Sequence, residues 1–414
     1  MDASLSSVSR PAARLPFAVF VLGLTVFCIG TTEVMVSGLL PLLAHEFGTS
    51  IPTAGLLISG YAAGVVVGGP AMTLAFLRVR RKTALLVLLG VFVAGQALGA
   101  VATSYALLMI SRVVAAFAQG AFFGIGSLLA IDLAGPGAKG RALAVMFGGL
   151  TIANIAGAPF GTLIGEQYGW RASFWAVTVL AVLSLAATAW VVPAQARPPY
   201  HGVAREFASF RRPRLWLALG ISALSQAGLF AAYSYFSPIF TEVGGFSRGS
   251  VPALQALFGI GCFAGTLVGG RYTDRHPHGI LCTGLAALTV TMAAFGILAH
   301  SPIGAIAALA AFGVAAFSIN PALQARAIAE APHAPTLATT ANTSAFNVGN
   351  TVGPWLGGVA INAGLGFVSS VWVGVALAAL ALILALASMR PDPASTSDSA
   401  SASDSSTGST GATS

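Results

Sequence analysis

Phe27-Cys28-Ile29-Gly30-Thr31-Thr32-Glu33-Val34-Met35 places one carboxylate inside an apolar run that extends over 16–40. About twenty apolar residues are enough to cross the hydrocarbon core of a bilayer. A charge at that depth costs roughly 2.5 kcal/mol or more, so such residues are rare and tend to mark function. Applied outward from Glu33, the same ruler gives further apolar segments near 52–76, 83–101, 106–131, 142–164, 172–193, 214–238, 252–271, 279–299, 303–325, 337–362 and 367–388. The first segment is too long, and lacks the small-residue cleavage pattern, to be a removable signal peptide. Of the 414 residues, 56% are hydrophobic and 8% charged, the balance of an integral membrane protein. An all-α chain of twelve transmembrane helices is expected.

The net charge of +8 would suit a nucleic-acid binder, but its placement argues against one. With the amino terminus inside, 17 of the 20 basic residues fall on the cytoplasmic side. Arg171 and Arg248 fall in outer loops, and Arg112 lies within a span. Such asymmetry orients a membrane protein, and it predicts both termini in the cytoplasm of a multi-pass cell-membrane protein. Cys28, Cys262 and Cys282 show no paired spacing and read as small buried hydrophobes. The six histidines form no ligand cluster, and no phosphate-cradling loop is present, so neither metal nor cofactor is expected.

The expected domains are a cytoplasmic segment 1–15, a six-helix bundle 16–193, a cytoplasmic linker 194–213 and a second six-helix bundle 214–390. A Ser-rich tail, 391–414, has too little apolar content to build a core. The halves carry a trace of duplication. Asn154-Ile155-Ala156-Gly157-Ala158-Pro159-Phe160-Gly161 matches Asn350-Thr351-Val352-Gly353-Pro354-Trp355-Leu356-Gly357 at an offset of 196 residues. The same offset lays the basic loop 77–82 over 273–278. Six spans plus six, so related, indicate parallel repeats with a substrate site between the halves near the bilayer midplane.

Glu33 lies eight residues before Pro41, or about 12 Å along a helix. Arg112 lies at a similar depth in the fourth span, so the two form either a static pair or a titrating site biased by a cation. Desolvation favours the neutral carboxyl and a nearby cation the ionised one, so a carrier that alternates the two environments can couple protons to transport. Arg112, Ala116 and Gln119 share a helical face; so do Gln226, Phe230, Tyr233 and Ser237 in the seventh span. Asn320 and Gln324 in the tenth, and Asn347 and Asn350 in the eleventh, complete the candidate cavity. Polar groups in a span need a partner, water or substrate. Amides, aromatic rings and one acid would suit amphipathic neutral or cationic molecules. Gly157, Pro159 and Gly161 in the crowded fifth span predict a tight, kinked packing surface between the halves.

These residues resemble the major facilitator superfamily, and within it the twelve-span drug:proton antiporter group, over about 15–390. Gly157-Ala158-Pro159-Phe160-Gly161 is similar to that group's fifth-span motif, and Arg112 through Gly120 to its fourth-span motif, whose arginine the resemblance ties to proton coupling. Arg78 to Lys82 resembles the basic end of the loop 2–3 signature, but Leu77 stands at the usual Asp and Thr73 at the usual leading Gly. The second-half copy keeps Gly270, Asp274 and Arg275, which implies a gate that leans on that half. The segments 30–41 and 52–57, with Gly169-Trp170-Arg171 and Ala345-Phe346-Asn347-Val348-Gly349-Asn350, resemble chloramphenicol exporters and arabinose-efflux-like permeases.

The resulting expectation is a monomer in membrane lipid that exchanges protons for a small-molecule drug by alternating access, conferring antibiotic resistance. Export of sugars or other metabolites is the alternative. A signalling receptor would need a folded soluble appendage. An intramembrane enzyme would need paired acids, a Ser–His set or a metal cluster, and the spans offer none. At the repeat offset, Glu33 falls on Leu229, so the expected proton site belongs to the first half alone.

Overall fold

The computed structural model describes residues 15–135, 138–195, 212–273, 277–332 and 335–388. The linker expected at 194–213 and the tail at 391–414 lie largely or wholly outside them, as do Asp274 and Arg275. The described chain is built from α1 (Phe17–Glu46), α2 (Ile51–Phe76), α3 (Arg81–Ala100), α4 (Tyr105–Ala134), α5 (Lys139–Tyr168) and α6 (Trp170–Val191). There follow α7 (Pro213–Tyr233), α8 (Arg248–Thr273), α9 (Gly279–Leu298), α10 (Pro302–Glu330), α11 (Pro335–Ala360) and α12 (Ser369–Ala387). Eleven of these are long and apolar enough to cross a membrane. The exception is α11, long enough at 26 residues but diluted by Thr339, Thr340, Asn342, Thr343, Asn347 and Asn350. A spanning segment must satisfy its own backbone, which is why the hydrophobic runs become helices.

Local chemistry sets the helix ends. Ser50, Ser104 and Ser301 accept from the amides of Thr53, Leu107 and Gly304, capping α2, α4 and α10 at the side of the bundle far from the termini. Gly169, at φ +86°, makes the turn between α5 and α6 in a conformation that disfavours a side chain. Proline marks the interruptions. Pro159 cannot donate to the carbonyl of Ile155, and the chain just before it widens into a π turn over Ala153–Gly157. α10 breaks at Ile319, two residues before Pro321.

The two halves repeat one packing scheme. α2 packs on α4, α3 on α4 and α6, and α1 on α5 and α6; likewise α8 packs on α10, α9 on α10 and α12, and α7 on α11 and α12. α1 and α7 are the most buried spans, and α6 and α12 among the least. The fold is therefore two pseudo-symmetric six-helix bundles. Between them run two seams, α2 against α11 and α5 against α8. On the second seam α8 packs mainly on Ala153–Tyr168 and little on Lys139–Ile152, so that seam is tight at the side far from the termini.

The fifth span is kinked and packs between the halves as expected, but its glycines face elsewhere. A Cβ on Gly157 would lie 2.1 Å from Thr31 Oγ1, and one on Gly161 would lie 2.8 Å from Met35 Cβ. Both neighbours belong to α1, so this face packs within its own half rather than between the halves. The second copy does the same: Cβ atoms on Gly349 and Gly353 would meet the carbonyls of Ala223 and Ala227 on α7 at 2.3 Å. The seam itself is made by the next face of α5, where the Asn154 carbonyl would lie 2.4 Å from a Cβ on Gly259 of α8.

Candidate functional site

Glu33 sits where α1, α4 and α11 meet. Gln119 Nε2 on α4 donates to Glu33 Oε2 at 2.8 Å, and Asn350 Nδ2 on α11 donates to Glu33 Oε1 at 3.2 Å. Each carboxylate oxygen thus has one amide donor, one from its own half and one from the other. Part of the Glu33 surface stays accessible, while Gln119 and Asn350 are buried. The Asn350 of the second copy reaches across to Glu33, whereas its repeat equivalent Asn154 turns its amide back to Leu150 O at 3.0 Å.

Arg112 lies beside this cluster at the expected depth. Its Nη1 donates to the carbonyl of Thr32 at 2.8 Å, and its guanidinium stacks 4.0 Å over the ring of Tyr61 on α2. It is fully buried, and its Nε and Nη2 have no hydrogen-bond partner among the described residues. Glu33 and Arg112 form no ion pair within 4.0 Å. A static salt bridge therefore does not account for the two charges: the arginine acts on the carboxylate through space and grips the backbone one residue before it. Stacking on an aromatic face offsets part of the cost of burying the cation.

Tyr61 is the member that the sequence did not single out. Its hydroxyl donates to Gln119 Oε1, completing a chain Tyr61–Gln119–Glu33–Asn350 across α2, α4, α1 and α11. A lone tyrosine between Gly60 and Gly64 was the available signal: a Cβ on Gly64 would meet Ala116 of α4 at 2.8 Å, so this face of α2 lies against the helix that carries Arg112 and Gln119.

The remaining candidates divide into two further groups and a separate amide, Asn347. Gln226 on α7 donates to Asn320 on α10 at 3.1 Å. Ser222 donates to Asn342 at 2.6 Å, and Asn342 donates to Gln324 at 2.9 Å, tying α7, α11 and α10 together. Gln226, Asn320 and Gln324 therefore have protein partners. Phe230 and Tyr233 belong to an aromatic group, with ring centroids 5.6 Å apart, that continues through Phe236, Phe258 and Phe312. Asn347 donates to Thr343 O at 3.0 Å, and both Asn347 Oδ1 and Asn350 Oδ1 are buried acceptors without a partner among the described residues.

Other buried contacts between the halves converge on the turn of α1 that follows Glu33. Tyr233 donates to Val34 O at 3.4 Å, Gln255 of α8 donates to Ser37 Oγ at 3.3 Å, and Thr162 of α5 donates to Gln255 at 2.7 Å. A second contact closes the far end of the α2–α11 seam, where Tyr235 donates to Pro354 O at 2.8 Å with its hydroxyl 2.7 Å from a Cβ built on Gly55 or Gly358. Gly169-Trp170-Arg171 has a structural explanation at the same side. Trp170 packs against Phe47 and Phe174, and Arg171 binds Glu46 at 2.7 Å and the carbonyl of Ala102 at 3.0 Å.

Twelve spans in two equivalent halves, with an acid held where the halves meet, define a membrane transporter. The chain belongs to the Major Facilitator Superfamily, whose family model matches residues 22–343. It is 39% identical to the inner membrane transport protein YdhP of Escherichia coli (strain K12), over 92% of this chain and 98% of that one. It is 34% identical to a chloramphenicol resistance protein of Streptomyces lividans, over 90% of this chain and 96% of the relative. Among solved structures, the D-xylose-proton symporter superposes with a TM-score of 0.75 at 16% identity, over 89% of this chain and 97% of the symporter. This chain is accordingly a multi-pass membrane transporter of small molecules.

Proposed function

We propose that the protein exports small amphipathic compounds in exchange for protons, with chloramphenicol-type antibiotics as the first class to test. One observation carries this reading. The acid deep in the spans is held by one donor from each half, Gln119 and Asn350, so its protonation state bears directly on how the halves meet. The similarity to a chloramphenicol resistance protein supports the substrate class. Glu33 takes a proton from the outer side, releases it inward and exchanges it for drug. Arg112 holds the Thr32 carbonyl beside Glu33 without forming an ion pair with it, and biases that site. The asymmetry of basic residues supports cytoplasmic termini in the cell membrane, and the protein acts as a monomer.

A second reading, export of a sugar or another metabolite, is favoured by one feature: the unpartnered acceptors Asn347 Oδ1 and Asn350 Oδ1, which suit hydroxyl donors. Expression in pump-deficient cells separates the two. Wild type is expected to lower chloramphenicol accumulation and raise resistance, and Glu33→Gln to lose both at equal protein level. Equal resistance in the two would remove Glu33 from coupling. Absence of resistance with wild type, followed by a response to sugars in a substrate panel, would replace the phenicol assignment with the second reading.

A further inference from the structure

The polarity of the hydrogen-bond chain through Glu33 sets where a proton can go. Tyr61 is fully buried, its hydroxyl has the Gln119 side chain as its partner, and a buried phenol O–H left without an acceptor is costly. Tyr61 therefore donates, which turns Gln119 Oε1 toward the tyrosine and leaves Nε2, a donor only, facing Glu33 Oε2. A proton on Oε2 would have to share that oxygen with a donor that Tyr61 keeps from turning away. Oε1 faces Asn350 Nδ2, and Asn350 has no comparable partner to fix it, because its Oδ1 finds none among the described residues.

We propose that Tyr61 is a positioning residue: acting through Gln119, it directs the proton to Glu33 Oε1, so that protonation weakens the Glu33–Asn350 hydrogen bond between the halves. In the step itself, hydronium gives a proton to a lone pair of Oε1 and leaves as water; the resulting hydroxyl oxygen is a weaker acceptor, so the Nδ2–H···Oε1 bond weakens while Gln119 keeps its bond to Oε2. An amide flip of Asn350 could re-form a bond only by turning Nδ2 to the place where Oδ1 now finds no partner. Either way the present contact between α1 and α11 is loosened. The inference rests on the reading of Glu33 as the proton site.

The charged and titratable groups that face Glu33 are Arg112 of α4, Tyr61 of α2 and Tyr233 of α7. The ionisable residues of α5 (Lys139, Arg141, Glu166 and Tyr168) and Arg171 of α6 lie at helix ends. α11 meets Glu33 with a neutral amide. Tyr61→Phe removes only the hydroxyl and keeps the ring under Arg112. Gln119 is then free to rotate and accept, so the proton can sit on Oε2 and the Asn350 bond survives.

The test uses the full chain with Cys28, Cys262 and Cys282 replaced, and spin labels at Phe147→Cys and Leu267→Cys. These are exposed positions on α5 and α8, in opposite halves. The readout is the shift in inter-label distance between acidic and alkaline buffer, with no drug present. Wild type is expected to shift, Glu33→Gln to be flat, and Tyr61→Phe to lose most of the shift. Asn350→Leu should resemble Tyr61→Phe, and combining the two should add nothing. A wild type without a shift, or a shift retained in Glu33→Gln, would sink the reading of Glu33 and this inference with it. A flat Glu33→Gln beside a full shift in Tyr61→Phe, or in Asn350→Leu, would overturn the inference alone.

Discussion

The centre of the first half and the matching centre of the second share a frame and differ in contents. Moving Glu33, Tyr61, Arg112 and Gln119 by the 196-residue repeat offset gives Leu229, Leu257, Ala308 and Ala315. Every polar member of the Glu33 chain in the first half has an apolar counterpart. In the other direction, the packed rings of Tyr233, Phe236, Phe240, Phe258, Phe295 and Phe312 fall back on Ser37, Leu40, Ala44, Ala62, Gly99 and Ala116. What the copies keep in common is small residues where helices cross, as with α5 on α1 and α11 on α7. Backbone approach sets the frame, and the residues between the crossings are free to become either a polar relay or an aromatic core.

If that contrast is right, the two regions should fail differently. Phe312 is fully buried among Phe236, Phe258 and Phe295, so Phe312→Ala should cost about 3–5 kcal/mol. Thermal unfolding of the purified protein would show this as a large fall in midpoint. Gln119→Leu strips the Tyr61 hydroxyl and Glu33 Oε2 of their partners, so it should lower the midpoint by the smaller equivalent of about 1–3 kcal/mol and abolish proton-driven export; a fall as large as that of Phe312→Ala would erase the distinction. A transplant tests it from the other side. Leu229→Glu puts an acid at the equivalent place, where the frame supplies no counterpart of Arg112 or Gln119. It should destabilise by about 2.5–3.5 kcal/mol and fail to restore export to Glu33→Gln, as read by the unfolding midpoint and by drug accumulation. The smallest effect is expected at the exposed Arg171–Glu46 pair. Glu46→Gln should cost less than about 1 kcal/mol and leave transport intact, which an unfolding curve and an export assay would check.

Much of this arrangement was legible in the chain because lipid makes polar residues conspicuous. Glu33, Arg112, Gln119 and Asn350 stand out in apolar runs, and the structure brings them to one place. The spans were equally visible, including α11, whose dilution by asparagine and threonine is what supplies the site. Tyr61 was hidden because an aromatic residue in a span is unremarkable by composition, and its role depends on one hydroxyl and on which helix it faces. The glycines of α5 were recognisable as a packing face, but the partner of that face is a tertiary fact; it proved to be α1 rather than the other half. Gln255, which links Thr162 to Ser37 across the α5–α8 seam, was missed for the same reason: a single amide in a span carries no mark of its direction.

In the proposed function, Glu33 carries the proton that drives transport. The most direct measurement of that role is proton movement in proteoliposomes of purified protein, recorded with an internal pH dye as chloramphenicol is added, beside drug-for-drug exchange in the same vesicles. Wild type is expected to show a drug-dependent proton flux, and Glu33→Gln no such flux while exchange continues. A Glu33→Gln protein that still moves protons on addition of drug would contradict that role.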